Sequence, residues 1–281
     1  MTAALAGPLD GLRVFVPRAP ERAGALLAAL RRAGATPVAA PLVAIGAPAD
    51  PRPLDDAAAR LAAGGYDWVA VTSGFTVDAL EAAAMRAGRT FAALIDAGRA
   101  ALPGSTRVAT VGDATAAALA RVGVRADFVP VTEQSARGML LDWPPTRAGA
   151  NVLLCQSDLA EPALAAGLAE RGWHPQQVAA YTNRPAAPLD PVLVADLAAG
   201  RIGAVVLMSG SAARSLVAQV TLASSTVVCC IGPRTAEVAA ALGLAADVVV
   251  AAGPGPDAIV AAIVAHPRPK SENDHDPEVT A

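Results

Sequence analysis

The chain has 281 residues, of which 54% are hydrophobic and only 3% aromatic, with a formal net charge of −3. That length fits two domains of about 100–200 residues each, with cores of Val, Leu and Ala. Lys270 is the sole lysine and there is no basic stripe, which sets nucleic acid aside as a partner; no apolar run nears the roughly 18 residues of a membrane span and no leader pattern opens the chain, so a cytoplasmic protein is expected.

The first element is an apolar run, VFV (14–16), followed by a helix-like stretch with Leu26, Leu27 and Leu30 on one face. Gly34 ends that stretch as C-terminal glycines do. TPVAAPLVAIG (36–46) reads as extended. A helix-like stretch (54–64) leads to a buried strand, WVAVTS (68–73), that opens into the helix SGFTVDALEAAA. RVATVG (107–112) opens into DATAAALARVG, and the strand FVP with the helix SARGMLLDW closes this half.

From residue 151 the pattern starts again. NVLLCQSDLAEPALAAGLAERG (151–172) repeats RVFVPRAPERAGALLAALRRAG (13–34), with Leu159, Leu164 and Leu168 as the helix face and Gly172 on Gly34. HPQQVAAYTNRP (174–185) takes the place of 36–46, so the two stretches are expected to play one part, as equivalent strands carrying the chain between lobes. A helix-like stretch (189–200) follows. VVLMSGSAARSL (205–216) repeats VAVTSGFTVDAL (69–80), and VCCIGPRTAEVAAALGLAAD (228–247) repeats VATVGDATAAALARVGVRAD (108–127). The separation shortens at this third block. VVV and the helix PDAIVAAIVAH end the second half, and 267–281 reads as a polar, disordered tail.

Strands that are apolar throughout and alternate with helices argue for parallel sheets covered on both faces. The expected fold is therefore α/β, with two similar lobes and a cleft between them as the natural place for a ligand. In such folds ligands lie beyond the carboxyl ends of the strands, where backbone N–H groups and helix N-termini receive anions. That rule selects Arg18 after the first strand, Gln156 after its repeat, Ser73 and Gly74, Thr115, Ser209, Gly210 and Ser211, and Thr235. Each has a structural reading beside it. Ser73 and Ser209 suit helix capping, as do Asp113, Thr115 and Thr235, and Arg18 suits the surface.

Other chemistries find no support. No dinucleotide, P-loop, nucleophile-elbow or HExxH pattern occurs. Cys155, Cys229 and Cys230 sit in strand-like runs and lack metal-ligand spacing. His174, His266 and His275 lie beside a helix stop or near the tail. Tyr181 stands out as one of two tyrosines; on its crossing strand it serves either as a hydroxyl in the cleft or as a packed residue at a lobe boundary.

VTSGFTVDAL, VGDATAAALARVGV, AAYTNRP, VLMSGSAARSL and IGPRTAEVAAALGL together resemble the uroporphyrinogen-III synthase family over roughly 12–265. The resemblance implies two lobes, each a parallel sheet flanked by helices, joined by a two-stranded connector. One lobe would take 1–43 with 182–266 and the other 46–178. It implies cyclisation of hydroxymethylbilane, a carboxylate-rich linear tetrapyrrole, to uroporphyrinogen III with ring D inverted and water lost, through an azafulvene and a spiro intermediate. It implies no metal or organic cofactor.

By matching position the resemblance makes Tyr181 the catalytic residue that assists loss of hydroxide. Arg18, Ser73, Gly74, Thr115, Gln156, Ser209, Gly210, Ser211 and Thr235 would bind substrate. The chain departs from the family where Gln156 and Ser157 stand for an arginine-glycine pair, and at Gly74 and Gly210, where proline is usual. A monomer that takes substrate from hydroxymethylbilane synthase is expected. The alternative is a non-enzymatic tetrapyrrole-binding or regulatory module of the same fold. A sugar-binding protein is a weaker rival, since so few aromatics are available to stack on a sugar.

Overall fold

Alternation along each strand dictates two cores per sheet. In β1 (Arg13–Val16), Val14 and Val16 enter one cluster with Leu26, Leu27 and Leu30 of α1 (Pro20–Arg32), while Phe15 enters another. β8 (Ala204–Leu207) and β9 (Val227–Cys230) divide the same way: Val206 and Cys229 join the first cluster, Val205 and Cys230 the second. A strand buried on both faces is continuously apolar, as parallel sheets require. The computed structural model describes residues 7–102, 104, 106–145, 149–244, 248–253 and 255–266, so the proposed tail at 267–281 lies outside the described residues.

The chain forms two units, one from the described residues up to Ala44 together with those from Pro185 onward, the other Ile45–Arg184. The first holds a sheet in the order β10-β9-β8-β1-β2, adding β2 (Thr36–Ala39) and β10 (Val248–Val250). Its faces are covered by α1 and α11 (Pro256–Ala265) on one side, and by α8 (Pro191–Ala198), α9 (Gly210–Val217) and α10 (Pro233–Ala241) on the other.

The second unit has the order β3-β7-β6-β4-β5, built from β3 (Val43–Gly46), β4 (Trp68–Val71), β5 (Arg107–Thr110), β6 (Asn151–Ser157) and β7 (His174–Pro185). Helices α2 (Arg52–Ala62), α3 (Gly74–Arg86), α4 (Phe91–Ala101) and α5 (Asp113–Arg121) cover one face. Helices α6 (Ala136–Asp142) and α7 (Ala163–Glu170) cover the other, with Trp68, Trp143 and Trp173.

The two sheets share one design and exchange their first strands. β1 pairs in parallel with β8, which belongs to the second copy of the repeat, and β6 pairs in parallel with β4, which belongs to the first. β2 lies beside β1 as β7 lies beside β6. The chain passes between units within β3 and just after Arg184 in β7, strands that are neighbours in the second sheet.

Four expectations need correction. The stretch 36–46 is not one strand: Leu42 is buried between β2 and β3, which belong to different sheets. FVP is not a strand, since Phe128 makes only an isolated bridge to Ala109. Leu159 is not on a helix face; it is 65% exposed and precedes α7, which starts only after Pro162. An unexpected helix, α4, is capped by Thr90, whose side chain accepts from the Ala93 N–H. It occupies the stretch between α3 and β5 that has no helix in the second copy, which is why the repeat separation shortens. α4 lies so close on α2 that a Cβ on Gly98 would sit 2.5 Å from the Leu61 carbonyl oxygen.

Candidate functional site

Ser73 ends the β4 turn as the N-cap of α3: its Oγ accepts from the Thr76 N–H at 3.2 Å, satisfying a donor the helix cannot. The same hydroxyl donates to the phenolic oxygen of Tyr181 at 3.2 Å. Buried Thr76 is tied down in turn, its Oγ1 donating to the Cys155 carbonyl at 3.3 Å. Phe75 completes the setting, with its ring 5.5 Å from the Tyr181 ring and tilted by 43°.

A β-bulge brings Tyr181 to this face. The register runs from Gln156↔Ala179 to Ser157↔Tyr181, so Ala180 is an extra residue in β7. Such an insertion re-aims the side chains that follow. Tyr181 consequently packs on the same core as Val178 and Ala180, where strict alternation would send it to the other face. Beyond the bulge the strand is pinned by Asp158, whose N–H donates to the Tyr181 carbonyl and whose carboxylate takes the Asn183 N–H and the Arg184 guanidinium. Burial pushes the Asp158 carboxyl up, but Arg184, the Asn183 N–H and Ser157 outweigh it and hold the group below the usual carboxylate range.

Thr115 lies in the first turn of α5, 6% exposed, and Gly112 rather than a side chain caps that helix. The capping reading of Thr115 and Asp113 therefore fails, and it fails for Thr235, 7% exposed, where Gly232 is the cap of α10. The capping reading of Ser73 and of Ser209 is correct. α3 and α5 meet where a Cβ on Gly74 would touch Ala118 at 3.7 Å, setting the serine turn beside the threonine turn. Gln134, which the sequence reading missed, covers the start of α5: its Oε1 accepts from the Asp113 N–H at 3.1 Å and its amide donates to the Asp113 carboxylate at 2.8 Å.

Gln156 does not join this group. It is 6% exposed and bonds Gln177 at 3.3 Å, on the sheet face opposite Cys155 and hence opposite Tyr181.

The first unit gathers the remaining candidates. Ser209 caps α9, accepting from the Ala212 N–H at 3.2 Å, and its Oγ lies 3.0 Å from that of Ser211. Arg18 reaches this turn from the end of β1, its Nη1 donating to the Met208 sulfur at 3.6 Å. Among the described residues Arg18 forms no ion pair, and burial, aided by the nearby Arg22, lowers its guanidinium pKa. Gly210 sits against Val238 of α10, as Gly74 sits against Ala118. Among the described residues a Cβ on Gly232, at the start of α10, would meet nothing within 4 Å.

Among the described residues no group of three or more His, Cys, Asp and Glu side chains is placed to hold a metal. The cysteines are buried and free, and burial pushes Cys155 and Cys229 up to about 12 and Cys230 up to about 11. None is a nucleophile at neutral pH. No described helix is long and apolar enough to cross a membrane.

Two α/β units of one design, each with a serine-capped turn and a threonine turn at the carboxyl ends of its strands, make a duplicated α/β protein. The sequence model of "Uroporphyrinogen-III synthase HemD" matches residues 24–261, and the chain belongs to the uroporphyrinogen-III synthase family. A uroporphyrinogen-III synthase of Synechococcus elongatus is 30% identical over 146 residues, 52% of this chain and 50% of that protein. The matched segment thus spans half the length of that relative. The fold is similar to a crystal structure of mutant uroporphyrinogen III synthase from the extremely thermophilic bacterium Thermus thermophilus, at 20% identity and a TM-score of 0.62, covering 90% of this chain and 97% of that one.

Proposed function

We propose that the chain is a uroporphyrinogen-III synthase that closes hydroxymethylbilane to uroporphyrinogen III with inversion of ring D. The observation that carries the reading is the Tyr181 hydroxyl, which accepts a hydrogen bond from Ser73 at a strand-end turn of a family member.

A hydroxymethyl pyrrole ionises readily, so the site needs no strong acid. Tyr181 hydrogen-bonds the leaving hydroxyl as the C–O bond breaks with its electron pair on oxygen. Ring D attacks the resulting azafulvene through its substituted carbon, and the spiro intermediate fragments and recloses the other way. The proton released at ring closure completes the water. Holding ring D in the inverting pose is the larger task, and positioning of this kind supplies several kcal/mol.

The carboxylates of the substrate are received by the backbone N–H groups of the serine and threonine turns and by Arg18. A half-buried guanidinium without a carboxylate partner is costly, and an anionic substrate relieves that cost. Gln156, bound to Gln177 on the far face, is the weakest of the assigned contacts. We further take the protein to be a cytoplasmic monomer that receives substrate from hydroxymethylbilane synthase.

The test supplies hydroxymethylbilane and separates the type I and type III products. Type III output in excess of the spontaneous reaction is expected. Type I alone rejects the synthase and leaves the binding-module reading.

A further inference from the structure

We propose that Ser73 is the positioning residue of Tyr181, fixing its phenol so that the tyrosine's own proton faces the leaving hydroxyl. The inference rests on the synthase reading.

Ser73 Oγ has one proton and three polar neighbours, each at 3.2 Å: the Thr76 N–H, Thr76 Oγ1 and the Tyr181 oxygen. The amide can only donate. Thr76 Oγ1 has spent its proton on the Cys155 carbonyl. Ser73 has one proton for the two oxygens, and the geometry at Tyr181 admits Ser73 alone as donor, so that proton goes to the phenol and the Thr76 Oγ1 contact is left without one. The phenol accepts on that side, so its proton turns away from Ser73.

The repeat supplies a built-in comparison. Ser209 caps α9 as Ser73 caps α3, so capping alone asks nothing more of either serine. Yet Ser209 faces Ser211, whereas Ser73 faces a phenol that a bulge has brought over and that Phe75, at the position of Ser211, stacks against. Only one of the two caps is joined to a proton-bearing ring.

The test uses the full chain with Ser73→Ala, Ser73→Thr, Tyr181→Phe and the double variant. Thr90→Ala serves as the control for loss of a helix cap in the same unit. A single hydrogen bond corresponds to about a tenfold effect. Ser73→Ala is expected to lower kcat about tenfold with KM within about twofold, Ser73→Thr to restore it, and Thr90→Ala to leave it unchanged. Adding Ser73→Ala to Tyr181→Phe is expected to cost nothing further.

Independently of turnover, the chain has only two tyrosines. In protein labelled with 13Cζ-tyrosine, Ser73→Ala should move the Tyr181 resonance and leave that of Tyr66. An unmoved Tyr181 resonance, or a further loss in the double variant, overturns the proposal. If the wild type makes type I product only, the synthase reading falls, while the resonance still decides whether the hydrogen bond exists.

Discussion

A Cβ placed on Gly210 would come within 3.1 Å of Cγ2 of Val238, tighter than ordinary contact, whereas a Cβ on Gly74 would meet Ala118 at a comfortable 3.7 Å. The two glycines hold equivalent places in the repeat, and the difference lies in the residue opposite. In Gly210→Ala the Val238 side chain must give way by a few tenths of an ångström, and the variant is expected to be less stable by about 1–2 kcal/mol. Gly74→Ala is accommodated and gains from lost chain flexibility, by up to about 1 kcal/mol. Denaturant melts of the two variants check the contrast.

Arg18 tests the carboxylate assignment. Arg18→Met keeps most of the stem and removes the charge. KM for hydroxymethylbilane is expected to rise about tenfold or more with kcat little changed, because the contact is equal in ground and transition states. An unchanged KM removes Arg18 from the site.

Thr110 carries a buried hydroxyl with no hydrogen-bond partner among the described residues. Its counterpart in the repeat is Cys230, a buried thiol in an apolar core. An unmet hydroxyl costs about 1–3 kcal/mol, so Thr110→Val is expected to raise stability by about 1 kcal/mol. Thr110→Ser, which keeps the hydroxyl, gives no gain. Thermal melts separate the two.

Asp196 is gripped by Arg13 and Arg201, each at 2.6 Å. Hydrogen bonds from the two guanidinium groups hold its carboxyl below the ordinary 3.8. A depressed carboxylate contributes stability above its unfolded value and loses it as pH falls through the folded one. Asp196→Asn is thus expected to be less stable than wild type at neutral pH, and the gap to close as pH drops below about 3.8. Urea titrations across that range check the sign.

Much of the scaffold is legible because burial leaves a mark in sequence. Continuous apolar strands such as WVAV and VVCC, each opening into a helix, announce parallel sheets, and the ordered repeat announces two similar units. What stays hidden depends on contacts distant in the chain. The bulge at Ala180 has no local signature, yet it decides which face Tyr181 takes. The same alternation sends Gln156 away from Tyr181, a consequence of strand parity that a turn rule ignores. α4 is findable, for Thr90 precedes an apolar periodic run in the manner of a capping residue. Phe75, one of four phenylalanines, is also open to notice as the ring beside a turn.

The exchange of first strands has a consequence for the order of synthesis on the ribosome. Ile45–Arg184 is one unbroken stretch, so every strand of its sheet has emerged once β7 is made. β1 waits for β8, made nearly two hundred residues later. Until then it has only β2 to pair with, and nascent chains stalled before residue 204 should be the ones that chaperones retain.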